Sequence, residues 1–184
     1  MIILASQSPR RRDLLSLITS QFDIRPANVD ETPLFGESGE DLVRRLASLK
    51  ARKIASGADQ KDLVIGSDTI VSINGSTLQK PKNFEDFLHM IGLLSDATHQ
   101  VYTGICVVLG SKCLNQVVRT DVTLRALSLK EQTDYWKTAE PLDKAGGYGI
   151  QGLAARFVTA IHGSYTNIVG LPLVELEELM NRAK

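Results

Sequence analysis

The tetrad Gly66-Ser67-Asp68-Thr69 interrupts an apolar run, with Leu63-Val64-Ile65 before it and Ile70-Val71 after it. The flanking residues have the branching and length of buried strands. The tetrad itself reads as a small polar hinge between two β segments. In open α/β sheets, ligands gather beyond the carboxyl ends of strands, so a carboxylate and hydroxyls placed there are candidates for chemistry. Asp68 is the candidate general base. Asp, Ser, Thr and Gly are equally the residues of ordinary turns, which bond their own backbone. The tetrad alone does not separate the two readings.

Other chemistry-bearing groups are spread along the chain. In Ser6-Gln7-Ser8-Pro9-Arg10-Arg11-Arg12, Ser8 is placed to cap a helix that Pro9 begins, and the arginines then fall in its first turn. Cations there oppose the helix dipole. A phosphate would resolve the conflict by taking the free N–H groups and the fork of Arg10 or Arg11, with Ser6 and Ser8 offering hydroxyls. A solvated basic turn paired with surface acids is the plainer alternative. Lys80, in Lys80-Pro81-Lys82, is expected beside Asp68, where it would attract a phosphate. Asp30-Glu31 lies in a loop, and such a pair is either plain surface or a source of oxygen ligands for a hard divalent cation. Lys50 and Lys53 ride on an amphipathic helix, where most lysines are solvated.

Asp143-Lys144-Ala145-Gly146-Gly147-Tyr148-Gly149 lets backbone approach a ligand closely, but it has neither Walker nor dinucleotide spacing. Gln151, just beyond, both donates and accepts, as a group reading a base edge or holding a phosphate must. His89, His99 and His162 are scattered without metal spacing or a triad pattern and read as packing or surface residues. Cys106 and Cys113 lie in or beside apolar β-like segments with no CxxC, as buried inert thiols would.

The elements that must position these groups alternate between strand and helix. Ile2–Ala5 is a short strand and Pro9 to Leu17 or Ile18 a helix, followed by a strand at Phe22–Arg25 and irregular chain from Pro26 to Ser38. Ser38 and Asp41 resemble a capping box for a helix that Gly57 stops. Asn74-Gly75 turns a hairpin between Ile70–Ile73 and Ser76–Gln79, and Asn83 caps a helix with Phe84, Phe87, Leu88, Ile91 and Leu94 on its core face. His99–Leu109 alternates as a strand with one apolar face, turns at Gly110-Ser111 and returns through Cys113–Leu124. Ser128 and Glu131 form a capping box, Phe157–Ile161 is a last strand, and a terminal helix carries Leu173, Leu176, Leu179 and Met180. A mixed sheet with flanking helices, folded as two lobes of one α/β unit around a cleft, is expected over residues 1–184.

The totals narrow the function. Lysines plus arginines and acids both number 21, so no general basic field holds the chain on a nucleic-acid polymer. No apolar run reaches the roughly 18 residues of a membrane helix, and Met1-Ile2-Ile3-Leu4 lacks the basic start of a signal peptide. A cytoplasmic protein without a membrane partner is expected.

Taken together, Leu4-Ala5-Ser6-Gln7-Ser8-Pro9-Arg10-Arg11, Ser67-Asp68-Thr69, Lys80-Pro81 and Asp143 to Gly152, with Gly163-Ser164-Tyr165 and Val169-Gly170-Leu171-Pro172-Leu173, closely resemble the Maf family of nucleoside triphosphate pyrophosphatases. The resemblance runs over essentially the whole chain. It implies an inosine-triphosphatase-like (Maf/Ham1) α/β fold, a homodimer, and hydrolysis of a nucleoside triphosphate to the monophosphate and pyrophosphate with Mg²⁺ or Mn²⁺. It further implies that Asp68 activates water, that Ser8, Arg11, Lys50 and Lys80 hold the phosphates, and that Glu31 and Asp68 contact the metal. Arg10, Thr69 and Gln151 match the specificity set of the branch acting on dTTP and UTP. The branch acting on 7-methyl-GTP differs at all three. Arg12 is a third arginine where the family pattern has two, and it is held in reserve with Lys53. A non-catalytic nucleotide-binding regulator of cell division is the alternative from another class.

Overall fold

In the computed structural model, which describes residues 1–184, seven strands form one mixed sheet. They are β1 (Ile2–Leu4), β2 (Asp23–Ile24), β3 (Leu63–Ile73), β4 (Ser76–Leu78), β5 (Thr98–Leu109), β6 (Lys112–Leu124) and β7 (Val158–His162). Their order is β2-β1-β3-β5-β6-β7, with β4 pairing on β3. β1 runs parallel to β2 and β3, and every later pairing is antiparallel. Asn74 and Gly75, at φ of 51° and 77°, turn β3 into β4, the backbone that a primed two-residue hairpin requires.

The expected hinge at Gly66–Thr69 does not exist. β3 is one continuous strand of 11 residues, and the tetrad lies at its centre. Gly66 is there because a helix crosses it. A Cβ on Gly66 would lie 2.2 Å from the Ala47 carbonyl oxygen, and one on Gly104 would lie 2.2 Å from that of Val43. Both carbonyls belong to α2 (Gly39–Ala55), which packs flat on this face. Even-numbered residues of β3 therefore face α2, with Val64 and Ile70 packed against its side chains, and odd-numbered ones face the other side. On that side α1 (Pro9–Leu15) and α6 (Leu173–Ala183) close a core with Leu63, Ile65, Ile105 and Val107. β5 is thus buried on both faces, not one.

At the far end of the sheet, α3 (Phe84–Leu94), α4 (Leu129–Trp136) and the glycine-rich segment enclose a second core with Val71, Val101 and Phe157. The long strands β3 and β5 contribute to both of these cores and to the packing under α2. Capping follows the expected residues, with Ser8, Ser38, Asn83 and Ser128 accepting from the third backbone N–H of their helices. Ser128 and Glu131 complete a reciprocal box, whereas Ser38 donates to the Asp41 carboxylate and the Ser38 N–H gets no return bond. α1 stops at Leu15 instead of Leu17 or Ile18, because its last turn tightens through Leu17 N–H to Leu14 O and Ile18 N–H to Leu15 O.

One gap in the sheet matters for function. β1 pairs with β3 at Leu63–Ile65 and β4 at Val71–Ile73, on the same edge. Gly66–Ile70 has no strand neighbour there, and a cleft opens at that gap.

Candidate active site

The cleft has a volume of about 1200 Å³. It is walled by the Ser6–Arg11 segment, the loop bearing Glu31, the free edge of β3, the Gln79–Lys80 step after β4, and the glycine-rich segment through Gly152. Ser8, Arg10, Arg11, Glu31, Lys50, Asp68, Thr69, Lys80 and Gln151, every site residue expected from the sequence, line this one space.

Asp68 points to the α2 side of the edge and is 7% exposed. Its Oδ1 accepts a hydrogen bond of 2.6 Å from Lys50 Nζ, and its Oδ2 takes none from the protein. Lys50, also 7% exposed, reaches Glu31 Oε1 at 2.6 Å as well. A single ammonium therefore joins the two carboxylates expected to hold a metal. The lysine beside Asp68 is Lys50, not Lys80 as the hairpin suggests. Alternation turns Asp68 toward α2, while Lys80 sits exposed at the foot of β4, on the cleft wall.

The donor set suits a hard divalent cation. Two carboxylates converge on one point, and Mg²⁺ is commonly held by one or two carboxylates with substrate phosphates supplying further oxygens. No group of three or more His, Cys, Asp or Glu residues could hold an ion without such help.

The three arginines of α1 go separate ways. Arg10 reaches Asp143 at 3.3 Å, tying the start of α1 to the glycine-rich segment. Burial pushes the Asp143 carboxyl pKa up, but Lys144 and Arg10 outweigh it and hold it below the ordinary value. Arg12 pairs with its neighbour Asp13 at the surface, and Lys53 is exposed on α2; neither lines the cleft. Arg11 turns inward. Its Nε donates to Gly170 O at 2.9 Å, Nη1 to Ser67 O at 2.9 Å and Ser6 Oγ at 3.4 Å, and Nη2 to Thr69 Oγ1 at 3.0 Å. Desolvation lowers its pKa, and the attraction of Asp68 opposes that. Four of its five N–H groups bond within the protein, so Arg11 braces the free edge of β3 while lining the cleft.

Thr69, on the face opposite Asp68, continues this network. Its hydroxyl meets Thr103 Oγ1 at 2.9 Å, and Thr103 donates to the Asn167 carbonyl at 2.9 Å. Thr103 has only one proton, so Thr69 must donate to it, and the Thr69 hydroxyl has only acceptor capacity left. Ser8 caps α1 at the cleft wall, and Gln151 lines the cleft with its side chain exposed.

Two positioning groups escape the sequence reading. Tyr148 of the glycine-rich segment is held by His99 on β5, with Nε2 and the phenol oxygen 2.7 Å apart and the rings edge to face. Burial drives the His99 pKa down to about 4. Asn167, fully buried, links Val101 O and Thr120 Oγ1 through its amide. His99 opens an alternating strand on its inward phase, a usable signal. Asn167 has no such signal. Cys106 and Cys113 are free thiols with sulfurs 3.6 Å apart behind α2, and burial pushes the Cys106 thiol up to about 12, so the inert reading holds.

Comparison with known proteins agrees with the geometry. The Ham1 protein of Staphylococcus aureus superimposes with a TM-score of 0.54 over 100% of this chain and 99% of its own, at 15% identity, which shows a shared fold. A protein of Pseudoalteromonas atlantica described as dTTP/UTP pyrophosphatase is 45% identical over 99% of this chain and 96% of its own. Proteins of the same description from Pseudoalteromonas translucida and Yersinia pestis are each 47% identical, over 97% and 98% of this chain and 95% and 91% of their own. Residues 1–183 match the family described as Maf-like protein, and the chain belongs to the Maf family.

Proposed function

We propose that this protein hydrolyses dTTP and UTP to the monophosphate and pyrophosphate, with Asp68 as the base that activates water. The observation that carries the reading is the Asp68–Lys50–Glu31 cluster at the free edge of β3, inside a cleft that also holds Lys80, Arg10 and Gln151. The name shared by full-length relatives supports the substrate.

Phosphoryl chemistry on a polyanion requires charge neutralisation and a positioned water more than covalent help from the protein. Lys50, Lys80 and the Ser8 hydroxyl hold the phosphates, and Arg11 keeps the edge of β3 in place behind them. Glu31 and Asp68 are the residues that would hold Mg²⁺ or Mn²⁺, whose chemistry is to offset the charge on phosphate oxygens. Asp68 Oδ2, the oxygen that Lys50 leaves free, takes a proton as water adds to phosphorus; the α–β anhydride P–O bond breaks and pyrophosphate leaves. Arg10, Thr69 and Gln151 select the base. With its proton tied to Thr103, the Thr69 hydroxyl is able to accept from an N–H, a group that uracil and thymine carry.

The reading also takes the protein as a cytoplasmic homodimer acting on free nucleotide, with neither a nucleic-acid polymer nor a membrane as partner. The family resemblance supports the dimer and the location. Release of pyrophosphate from dTTP, UTP, CTP and 7-methyl-GTP with Mg²⁺ or Mn²⁺ tests the function. Turnover of dTTP and UTP above the other two is expected, and preference for 7-methyl-GTP would overturn it.

A further inference from the structure

Lys50 stands where its charge opposes a metal. Its Nζ is 2.6 Å from both Asp68 Oδ1 and Glu31 Oε1, the oxygens of the two residues best placed to hold a divalent cation. Lys50 and Asp68 are both nearly buried, so water screens that pair poorly, while the Glu31 side chain reaches in from an exposed position. Magnesium needs oxygens at about 2.1 Å. An ammonium hydrogen-bonded to Asp68 and ion-paired with Glu31 leaves a divalent cation beside a like charge at close range.

We infer that Lys50 and a divalent cation compete for Asp68 and Glu31, so that the cation enters together with a polyphosphate that gives Lys50 another partner. The inference rests on the cleft being the polyphosphate site proposed above. Lys50 forced off its carboxylates without an anion nearby would be a nearly buried charge left unpaired, which is expensive. Polyphosphate oxygens remove that cost by accepting from the ammonium. Cation and polyphosphate then bind with positive coupling, and Lys50 is the element that couples them.

Lys50→Met deletes the charge and keeps most of the stem. Mn²⁺ titration followed by electron paramagnetic resonance, with no nucleotide present, is expected to show the variant binding Mn²⁺ about tenfold or more tighter than wild type, within the usual range of coupling between sites. Asp68→Asn in the same background is expected to remove the gain, which assigns it to this cluster. A folded Lys50→Met protein, verified by cooperative thermal unfolding, with wild-type Mn²⁺ affinity would overturn the inference.

Wild-type protein supplies a second measurement that does not depend on the variant folding. In lysine-labelled protein the Lys50 ammonium resonance is followed by ¹⁵N NMR. It is expected to stay in place with Mg²⁺ alone and to move when inorganic tripolyphosphate is added with Mg²⁺. Displacement by Mg²⁺ alone would overturn the inference. Neither measurement requires turnover, so the inference and the proposed hydrolysis fail separately.

Discussion

At the residue scale, a few side chains have partners that fix what they can do. Asp68 has one oxygen held by Lys50 and one left for a proton. Thr69 is turned by its neighbours into an acceptor. Arg11, expected from the sequence at the phosphates, lines the cleft and braces Ser67, Thr69 and Gly170. Sequence shows that an arginine is present in the first turn but not which way it points, because direction depends on carbonyls contributed from residues 67 and 170. His99 makes a prediction here. Its pKa falls to about 4 in the fold from an ordinary 6.5, so the unfolded chain binds the proton more readily. Stability from this group is full above pH 6.5 and is lost as pH falls toward 4, by about 3 kcal/mol at most. Denaturant unfolding of wild type and His99→Gln across roughly pH 4 to 7 checks it. The gap in stability between the two is expected to shrink toward acid, and a constant gap would contradict the assignment.

At the scale of elements, the site exists because two strands stop short. β1 covers β3 as far as Ile65, β4 resumes at Val71, and the exposed edge between them presents Asp68 on one face and Thr69 on the other. α2 supplies Lys50 only because Gly66 and Gly104 let it lie against the sheet. Gly104→Ala would place a Cβ 2.2 Å from the Val43 carbonyl oxygen, and backbone cannot yield cheaply. A loss of at least about 3 kcal/mol is expected, which in a chain of this size lowers Tm by about 6–12 °C. Gly92 on α3 is the contrast, since an added Cβ there would have nothing within 4 Å. Gly92→Ala should stabilise by about 0.5–1 kcal/mol. Calorimetric scans of both variants decide it.

The hairpin at Asn74-Gly75, the helix caps and the amphipathic stripes are all legible in the sequence, because each is set by residues a few positions apart. The continuity of β3 is not. Gly-Ser-Asp-Thr has the local chemistry of a turn, and what keeps it extended is pairing with the distant β5 along Leu63–Ser72. The same long-range placement explains why sequence points to Lys80 as the partner of Asp68. Lys80 follows the hairpin and is closer along the chain, whereas Lys50 arrives from the helix laid across the sheet.

At the scale of the whole molecule, one sheet is packed on both faces and the cleft opens at its interrupted edge, so groups from Ala5 to Val169 converge on one ligand-sized space. The chain carries no net charge, so under the proposed function attraction for a polyanion has to come from cations placed locally in the cleft. The quoted motifs contain Ser8, Arg10, Arg11, Asp68, Thr69, Lys80 and Gln151 but neither Glu31 nor Lys50, and the fold supplies the partner of each group. The proposed function assigns the proton transfer in that cleft to Asp68. Its most direct test is steady-state pyrophosphate release from dTTP and UTP by Asp68→Asn beside wild type, with nucleotide affinity measured separately. A fall in kcat of about 10²–10⁴-fold with binding retained is expected. Turnover in Asp68→Asn at the wild-type rate would contradict it.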